Sequence, residues 1–431
     1  MKVLLIYPNR VRTFMPVGPI GMAYVLGNLD PERHPAKALD LMFQDSPLQA
    51  IRKTIREVQP EIIGLSIRNF DELDMASRVC YLPELKEVAG AIRESSQAPL
   101  VLGGVGFTVM PRQLMAYLEA DYGIVGEGER AFPELLNRLE TGSDLKDLPG
   151  LILKENGGFR INPPVRIEDL DSIHPPDRSC MDLEQYVQNK GFVGVISKKG
   201  CPQGCIWCPS PYYPGRKVTL RNPVKVVDEI EGLKREQGIS TFYFCDDIFN
   251  TPPDHAKAVC DEIISRKLEI IWGCDLNPAT VSKDLLISMK RSGCVMVGPH
   301  FISASETMLQ QMTTGFTLSN LERCCQLLEE TEIPYSAFVI LGGPGETRDT
   351  IEESIRFCQG LKVSAIFYFT GVRILPNTGM EEWAREKRVV TSDEELLFPK
   401  FYLSPEMEGW IEGRLQRLSE TDPRWVKLQI E

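Results

Sequence analysis

Residues 201–208 read Cys-Pro-Gln-Gly-Cys-Ile-Trp-Cys. Three cysteines separated by three and then two residues fit a loop that wraps a compact inorganic core, because soft thiolates are the ligands that select iron–sulfur clusters. Three thiolates on a four-iron cube leave one iron without a protein ligand, and an open coordination position is what a metal needs to bind a reactant. Gly200 and Gly204 let the backbone come close to the sulfides. The competing reading is a structural zinc site or three unrelated buried thiols. Zinc asks for a fourth ligand, commonly in a second Cys-x-x-Cys pair, and the nearest candidates are the single Cys245 and the distant His255.

Around this loop the sequence alternates short apolar runs with amphipathic stretches. Strands are expected at 194–197, 241–245, 270–274, 295–297, 336–341 and 365–372, with helices at 223–237, 255–266, 283–292, 318–329 and 349–360 between them. That makes six βα-like units, enough for a partial barrel and short of eight.

The loop and the series after it resemble the radical S-adenosylmethionine (SAM) superfamily, whose signature is Cys-x3-Cys-x-aromatic-Cys; the match extends over most of residues 190–390. The resemblance implies a [4Fe–4S] cluster on Cys201, Cys205 and Cys208, with SAM chelating the open iron and an external donor of the flavodoxin or ferredoxin type supplying electrons. It puts Trp207 against the adenine. In 244–249 (FCDDIF), Asp246 and Asp247 become acceptors for the SAM ammonium. The segment 339–347 (VILGGPGET), with Gly342, Gly343 and Glu346, would lie along the adenosine. Many relatives carry an acidic residue in a Glu/Asp-Ser-Gly-Ser stretch on the fourth strand; here residues 302–305 read Ile-Ser-Ala-Ser, leaving Ser303 and Ser305 as hydrogen-bonding groups. Arg373, in 372–378 (VRILPNT), is a candidate for SAM or a substrate carboxylate, or for an ion pair at the barrel base.

Upstream, residues 1–150 carry the same alternation. Strands are expected at 2–7, 61–66, 100–102 and 122–125, and helices at 21–29, 84–92 and 111–118. Continuous apolar strands between amphipathic helices imply a parallel sheet covered on both faces, with ligands bound beyond the carboxyl ends of the strands. The first strand lacks a following Gly-x-Gly-x-x-Gly, which disfavours a dinucleotide. The segments 63–71 (IGLSIRNFD), 101–106 (VLGGVG) and 126–129 (GEGE) resemble the cobalamin-binding domain fused to many radical SAM enzymes. By that resemblance Gly21, Ser66, Gly103, Gly104, Gly126, Glu127, Gly128 and Glu129 line the cofactor. Relatives with a histidine lower ligand carry Asp-x-His-x-x-Gly after the first strand. The loop 8–21 has no histidine, and His34 reads as part of a surface turn. The implied cobalamin is therefore base-off and without a histidine ligand. Arg68 is a candidate to face its lower side, or to pair with Asp71 or Asp74.

The fold class expected is α/β. A doubly wound, Rossmann-like cobalamin-binding domain (1–150) is followed by a connector (151–188), a partial (β/α)6 radical SAM barrel (189–388) and a C-terminal extension (389–431). The function implied is methylation of an unreactive carbon of a small molecule, through a 5′-deoxyadenosyl radical and methylcobalamin. Cobalamin-assisted cyclisation or rearrangement is the alternative; a non-catalytic cobalamin carrier or sensor has no use for an open iron. A formal net charge of −12 disfavours nucleic-acid binding, which needs clustered cations. The opening MKVLLIYPNR has too short an apolar run for a signal-peptide core, and no run of about 18 apolar residues marks a membrane span, so the expected compartment is the cytoplasm. Single cysteines such as Cys80, Cys180, Cys260, Cys294 and Cys358 read as buried small hydrophobes.

Overall fold

The apolar run at the amino terminus becomes β1 (Val3–Tyr7), every residue of which is buried. It is the second strand of a seven-stranded sheet in the computed structural model, which describes the chain except for residues 13, 14, 156, 300 and 428–431. The chain divides into two compact units, Met1–Glu72 with Val79–Gly191, and Leu73–Arg78 with Phe192–Glu431.

In the first unit the strands are β1, β2 (Ala36–Asp40), β3 (Ile62–Ser66), β4 (Leu100–Gly103), β5 (Tyr122–Ile124), β6 (Leu151–Glu155) and β7 (Gly158–Ile161), in spatial order β2-β1-β3-β4-β5-β6-β7. The first five are parallel, and the β6–β7 hairpin adds antiparallel to β5. Residues 151–161 thus extend this sheet, and the rest of the segment to Gly191 packs in the same unit. β2 escapes a reading based on apolar runs because its sequence, AKALD, is exposed or half-buried throughout. The helices are α1 (Ile20–Gly27), α2 (Pro47–Val58), α3 (Leu82–Ser95), α4 (Val105–Val109), α5 (Pro111–Tyr117), α6 (Gly128–Thr141) and α7 (Leu183–Gln188). Val3, Leu5, Ile62 and Val101 from the sheet meet Met22 of α1 and Phe132, Leu135 and Leu136 of α6 in one core, each large side chain contributing roughly 1.5–3 kcal/mol by burial. Because β1 has β2 on one side and β3 on the other, the connections diverge there, and in such sheets the crevice that takes a ligand lies at the carboxyl ends of the two strands.

The second unit is the barrel. β8 (Val193–Val195) leads to the short antiparallel pair β9 (Lys198–Lys199) and β10 (Thr219–Leu220); then come β11 (Thr241–Phe244), β12 (Ile271–Leu276), β13 (Cys294–Pro299), β14 (Ala337–Leu341) and β15 (Ile366–Thr370). The order β8-β11-β12-β13 is parallel throughout, and a parallel bridge from Val297 to Tyr335 carries the arc on to β14-β15. All six expected strands are present in sequence order. After the antiparallel pair β16 (Val372–Arg373) and β17 (Phe401–Tyr402), a further strand, β18 (Trp425–Lys427), adds parallel to β15. Around these lie α8 (Pro223–Gln237), α9 (Pro253–Ser265), α10 (Lys283–Arg291), α11 (Glu306–Gln311), α12 (Leu318–Thr331), α13 (Arg348–Gly360), α14 (Gly379–Glu386) and α15 (Ile411–Thr421). Their boundaries follow from local chemistry. α8 starts with Asn222 accepting from the Val224 N–H, has Pro223 at its first position, and stops at Gly238 in the left-handed region. Phe244 and Trp272 pack edge to face at 5.0 Å in the core. Among the described residues no helix is long and apolar enough to cross a membrane.

Candidate active site

The cysteine loop follows the first barrel strand. The Cys201 N–H donates to Gly215 O (3.0 Å), Cys208 N–H to Cys205 O (3.2 Å), and Ile206 is held from both sides by Met312 O (3.2 Å) and the Met380 N–H (2.8 Å). Cys201 and Cys205 are buried and Cys208 half-buried. Burial pushes the Cys201 thiol up to about 11 and raises those of Cys205 and Cys208; a charge on Cys208 further disfavours ionisation of Cys201 and Cys205, and a charge on Cys201 that of Cys205. Such thiols stay protonated unless a cation compensates them; bound iron does so outright. Among the described residues no three His, Cys, Asp or Glu side chains close round a single ion. Three thiols brought together on one short loop are the donor set that an iron–sulfur cluster takes.

The two neighbouring aspartates diverge. Asp247 lies beside the thiols: it accepts from Ser210 Oγ (2.7 Å), and its charge raises Cys201 and Cys208. Asp246 is buried and turned to the chain itself, accepting from Ser197 N (2.8 Å), Lys198 N (3.1 Å) and Ser197 Oγ. Burial pushes its carboxyl up, against the charge of Lys198, whose buried ammonium donates to Ile248 O. Asp246 therefore anchors the segment entering the cysteine loop. Lys198 and Ser197 carry no motif signal; a polar pair directly after a strand and before the loop is the only hint of them.

Trp207 is half-buried in the loop. Ser303 is buried and engaged, its Oγ 3.0 Å from Ser354 Oγ and accepting from Ser305 N. At Gly342 the backbone has φ 99°, and a Cβ there would lie 2.3 Å from Leu403, so only glycine fits this turn. The Gly342 and Gly343 N–H groups donate to Glu346 Oε2, while Oε1 is buried without a partner. Burial pushes the Glu346 carboxyl up to about 7. Arg373 is buried and donates to Ile374 O (2.7 Å) and Leu396 O (3.0 Å), so its guanidinium holds the C-terminal extension through backbone carbonyls. Unanticipated by any motif, Tyr243 of β11 donates to Asp275 of β12 (3.1 Å), a polar pair between adjacent barrel strands.

In the first unit, Ser66 stands opposite Gly103 at the strand ends. A Cβ on Gly103 would meet nothing within 4 Å, and Gly104, at φ 94°, is pressed against Ile67 so closely that a Cβ would lie 2.4 Å from its carbonyl oxygen. Space beside Gly103 is thus open to a ligand, whereas Gly104 is packed against the chain itself. Gly21 is exposed at the start of α1. Gly126 donates to Thr108 Oγ1 (3.1 Å), Glu127 is buried and accepts from Ile167 N, and Gly128 and Glu129 open α6. Arg68 is exposed and donates to Asn69 Oδ1 (2.8 Å). Asp74 instead caps its own turn and accepts from Thr370 N (3.2 Å) within the second unit. The expectation of a surface turn at His34 is corrected: the ring is buried, with Nε2 3.1 Å from Asn137 Oδ1, at the amino ends of the strands and remote from the crevice. Asn9, two residues beyond β1, is buried with neither amide atom partnered.

Comparison with known proteins agrees with both units. Residues 195–358 match the Radical SAM superfamily and residues 12–136 the B12 binding domain. An uncharacterized methyltransferase of Pyrococcus horikoshii is 28% identical, covering 89% of this chain and 83% of its own. The tryptophan 2-C-methyltransferase of Streptomyces laurentii is 25% identical over 89% of this chain and 74% of its own. An anaerobic magnesium-protoporphyrin IX monomethyl ester cyclase of Rubrivivax gelatinosus is 28% identical over 83% and 66%. A radical SAM methyltransferase from Kitasatospora setae, solved with cobalamin and a [4Fe–4S] cluster, shares the fold with a TM-score of 0.87 at 23% identity, covering 100% of this chain and 91% of its own. Fold and thiol loop thus define the class, an α/β radical SAM enzyme. More narrowly, the chain belongs to the B12-dependent radical SAM family.

Proposed function

We propose that this enzyme methylates an unreactive carbon of a small-molecule substrate, using a [4Fe–4S] cluster on Cys201, Cys205 and Cys208, SAM, and a base-off cobalamin without a histidine ligand. When bound, these groups supply reductive cleavage of SAM and a methyl carrier, with electrons from a flavodoxin- or ferredoxin-type donor. The observation that carries the reading is the loop that brings together the buried thiols of Cys201 and Cys205 and the half-buried thiol of Cys208; the methyltransferases among the relatives support the choice of reaction. Asp247, beside the thiols, is the acceptor proposed for the SAM ammonium. The unpartnered Glu346 Oε1 is suited to a hydrogen-bond donor on the adenosine. Asp246, Ser303 and Arg373 position these elements through the bonds described above. Gly103 gives the corrin room to approach the strand ends, Gly104 holds the turn beside it, Ser66 lies at the border, and the exposed Arg68 is the residue proposed to face the lower side.

Anaerobic reconstitution with iron, sulfide and hydroxocobalamin, followed by SAM and a reductant, tests this reading. Both 5′-deoxyadenosine and S-adenosylhomocysteine are expected. 5′-Deoxyadenosine alone would favour the rearrangement reading, which the cyclase relative supports; neither product from a fully loaded protein would overturn enzyme action. Cys205→Ala is expected to lose the cluster and 5′-deoxyadenosine while keeping wild-type cobalt occupancy.

A further inference from the structure

We infer that Asn9 is a cobalamin-binding residue whose carboxamide pairs with a primary amide on the rim of the corrin. The inference rests on the reading that the first unit holds cobalamin, and it deepens that reading. Asn9 lies two residues past β1, beside the point where the sheet order reverses between β1 and β3. It is 6% exposed, and both Nδ2 and Oδ1 are buried without a hydrogen-bond partner. Its surroundings are pinned. Tyr7 OH donates to Val17 O (3.0 Å), Arg10 to Gln44 O (3.3 Å) and Arg12 to Met42 O (2.8 Å). Arg10 and Arg12, the neighbouring polar side chains among the described residues, are tied to backbone carbonyls, whereas Asn9 is left with a donor and an acceptor both unused.

Buried amides are seldom left unpaired, because each lost partner carries the full desolvation penalty. A ligand that completes Asn9 must both accept and donate. A phosphate group accepts only. A primary amide does both, and two amides meet in a pair of parallel hydrogen bonds. The corrin ring carries such amides around its edge, whereas the hydroxyls, phosphate, base and secondary amide of the nucleotide tail do not present an NH2 beside a carbonyl oxygen. The crevice at the carboxyl ends of β1 and β3 is where the sheet topology directs a ligand.

The test uses the full chain, with hydroxocobalamin and cobinamide as probes titrated by visible absorbance. Cobinamide keeps the corrin amides and lacks the nucleotide base and sugar. Asn9→Ala and Asn9→Leu are expected to weaken both probes by about 10- to 100-fold. Asn9→Leu is further expected to hold or raise the urea midpoint of the cofactor-free protein, since it removes two unpaired buried polar atoms. A merely structural asparagine would lower that midpoint and binding together, and this outcome overturns the inference. Unchanged affinities also overturn it, and weakening of cobalamin alone moves the contact to the tail and overturns the rim assignment. Failure of the wild-type chain to bind either probe would instead overturn the cobalamin reading itself.

Discussion

At the scale of single residues, environment separates groups that the sequence presents as equivalent. Asp246 and Asp247 are adjacent, yet one is buried beneath three donors from Ser197 and Lys198 and the other stands beside the thiols. Glu346 is distinguished by burial, which pushes its carboxyl from 4.5 to about 7. A folded-state value above the unfolded one means that the protonated form is favoured by folding. The associated stability is complete below about pH 4.5 and is lost as pH rises through 7, by about 3 kcal/mol at most. Glu346→Gln keeps an acceptor for Gly342 and Gly343 without the charge. The variant is therefore expected to gain thermal stability relative to wild type between pH 5 and pH 8, and parallel melting-temperature curves would refute the burial argument.

At the scale of elements, the segment that enters the cysteine loop depends on a carboxylate supplied by the next barrel strand. Asp246 follows β11 and ties down residues 197 and 198 after β8. Asp246→Ala leaves buried donors unpaired, at about 1–3 kcal/mol for each group. A fall in the urea midpoint is expected together with reduced iron content after reconstitution; full iron content at wild-type stability would remove Asp246 from this role. β18 is a second case. Its Trp425 is 2% exposed and lies 6.2 Å from Tyr368 of β15, centroid to centroid. Trp425→Ala should cost about 3–5 kcal/mol, measured by chemical denaturation. A change within 1 kcal/mol would show that the strand is dispensable.

At the scale of the whole molecule, two cofactor modules lie in one chain whose path passes from the first unit to the second, back, and over again at residues 72/73, 78/79 and 191/192. A ligand that binds only the folded state protects the region it touches, and at 100-fold excess over Kd it adds about 2.7 kcal/mol to stability. Cobalamin is accordingly expected to slow amide hydrogen exchange in peptides covering 7–12, 66–70 and 103–108. Protection confined to the barrel peptides would contradict the assignment of the crevice.

What the sequence determined by itself is whatever depends on local pattern. An apolar run such as 2–7 declared a parallel strand because both faces of Val3–Tyr7 are buried, and the spacing of Cys201, Cys205 and Cys208 declared a metal loop because thiolate chemistry is specific to residue type. Tertiary structure alone decided what depends on partners distant in the chain. β2 and β18 are strands because an edge was available to pair with, not because of their own composition. Asp246 and Arg373 serve the chain because Ser197, Lys198 and Leu396 come to meet them. Asn9 keeps two unsatisfied atoms and Glu346 one because the fold buries them without supplying a partner, and burial is a property of the assembled surroundings that no local pattern encodes.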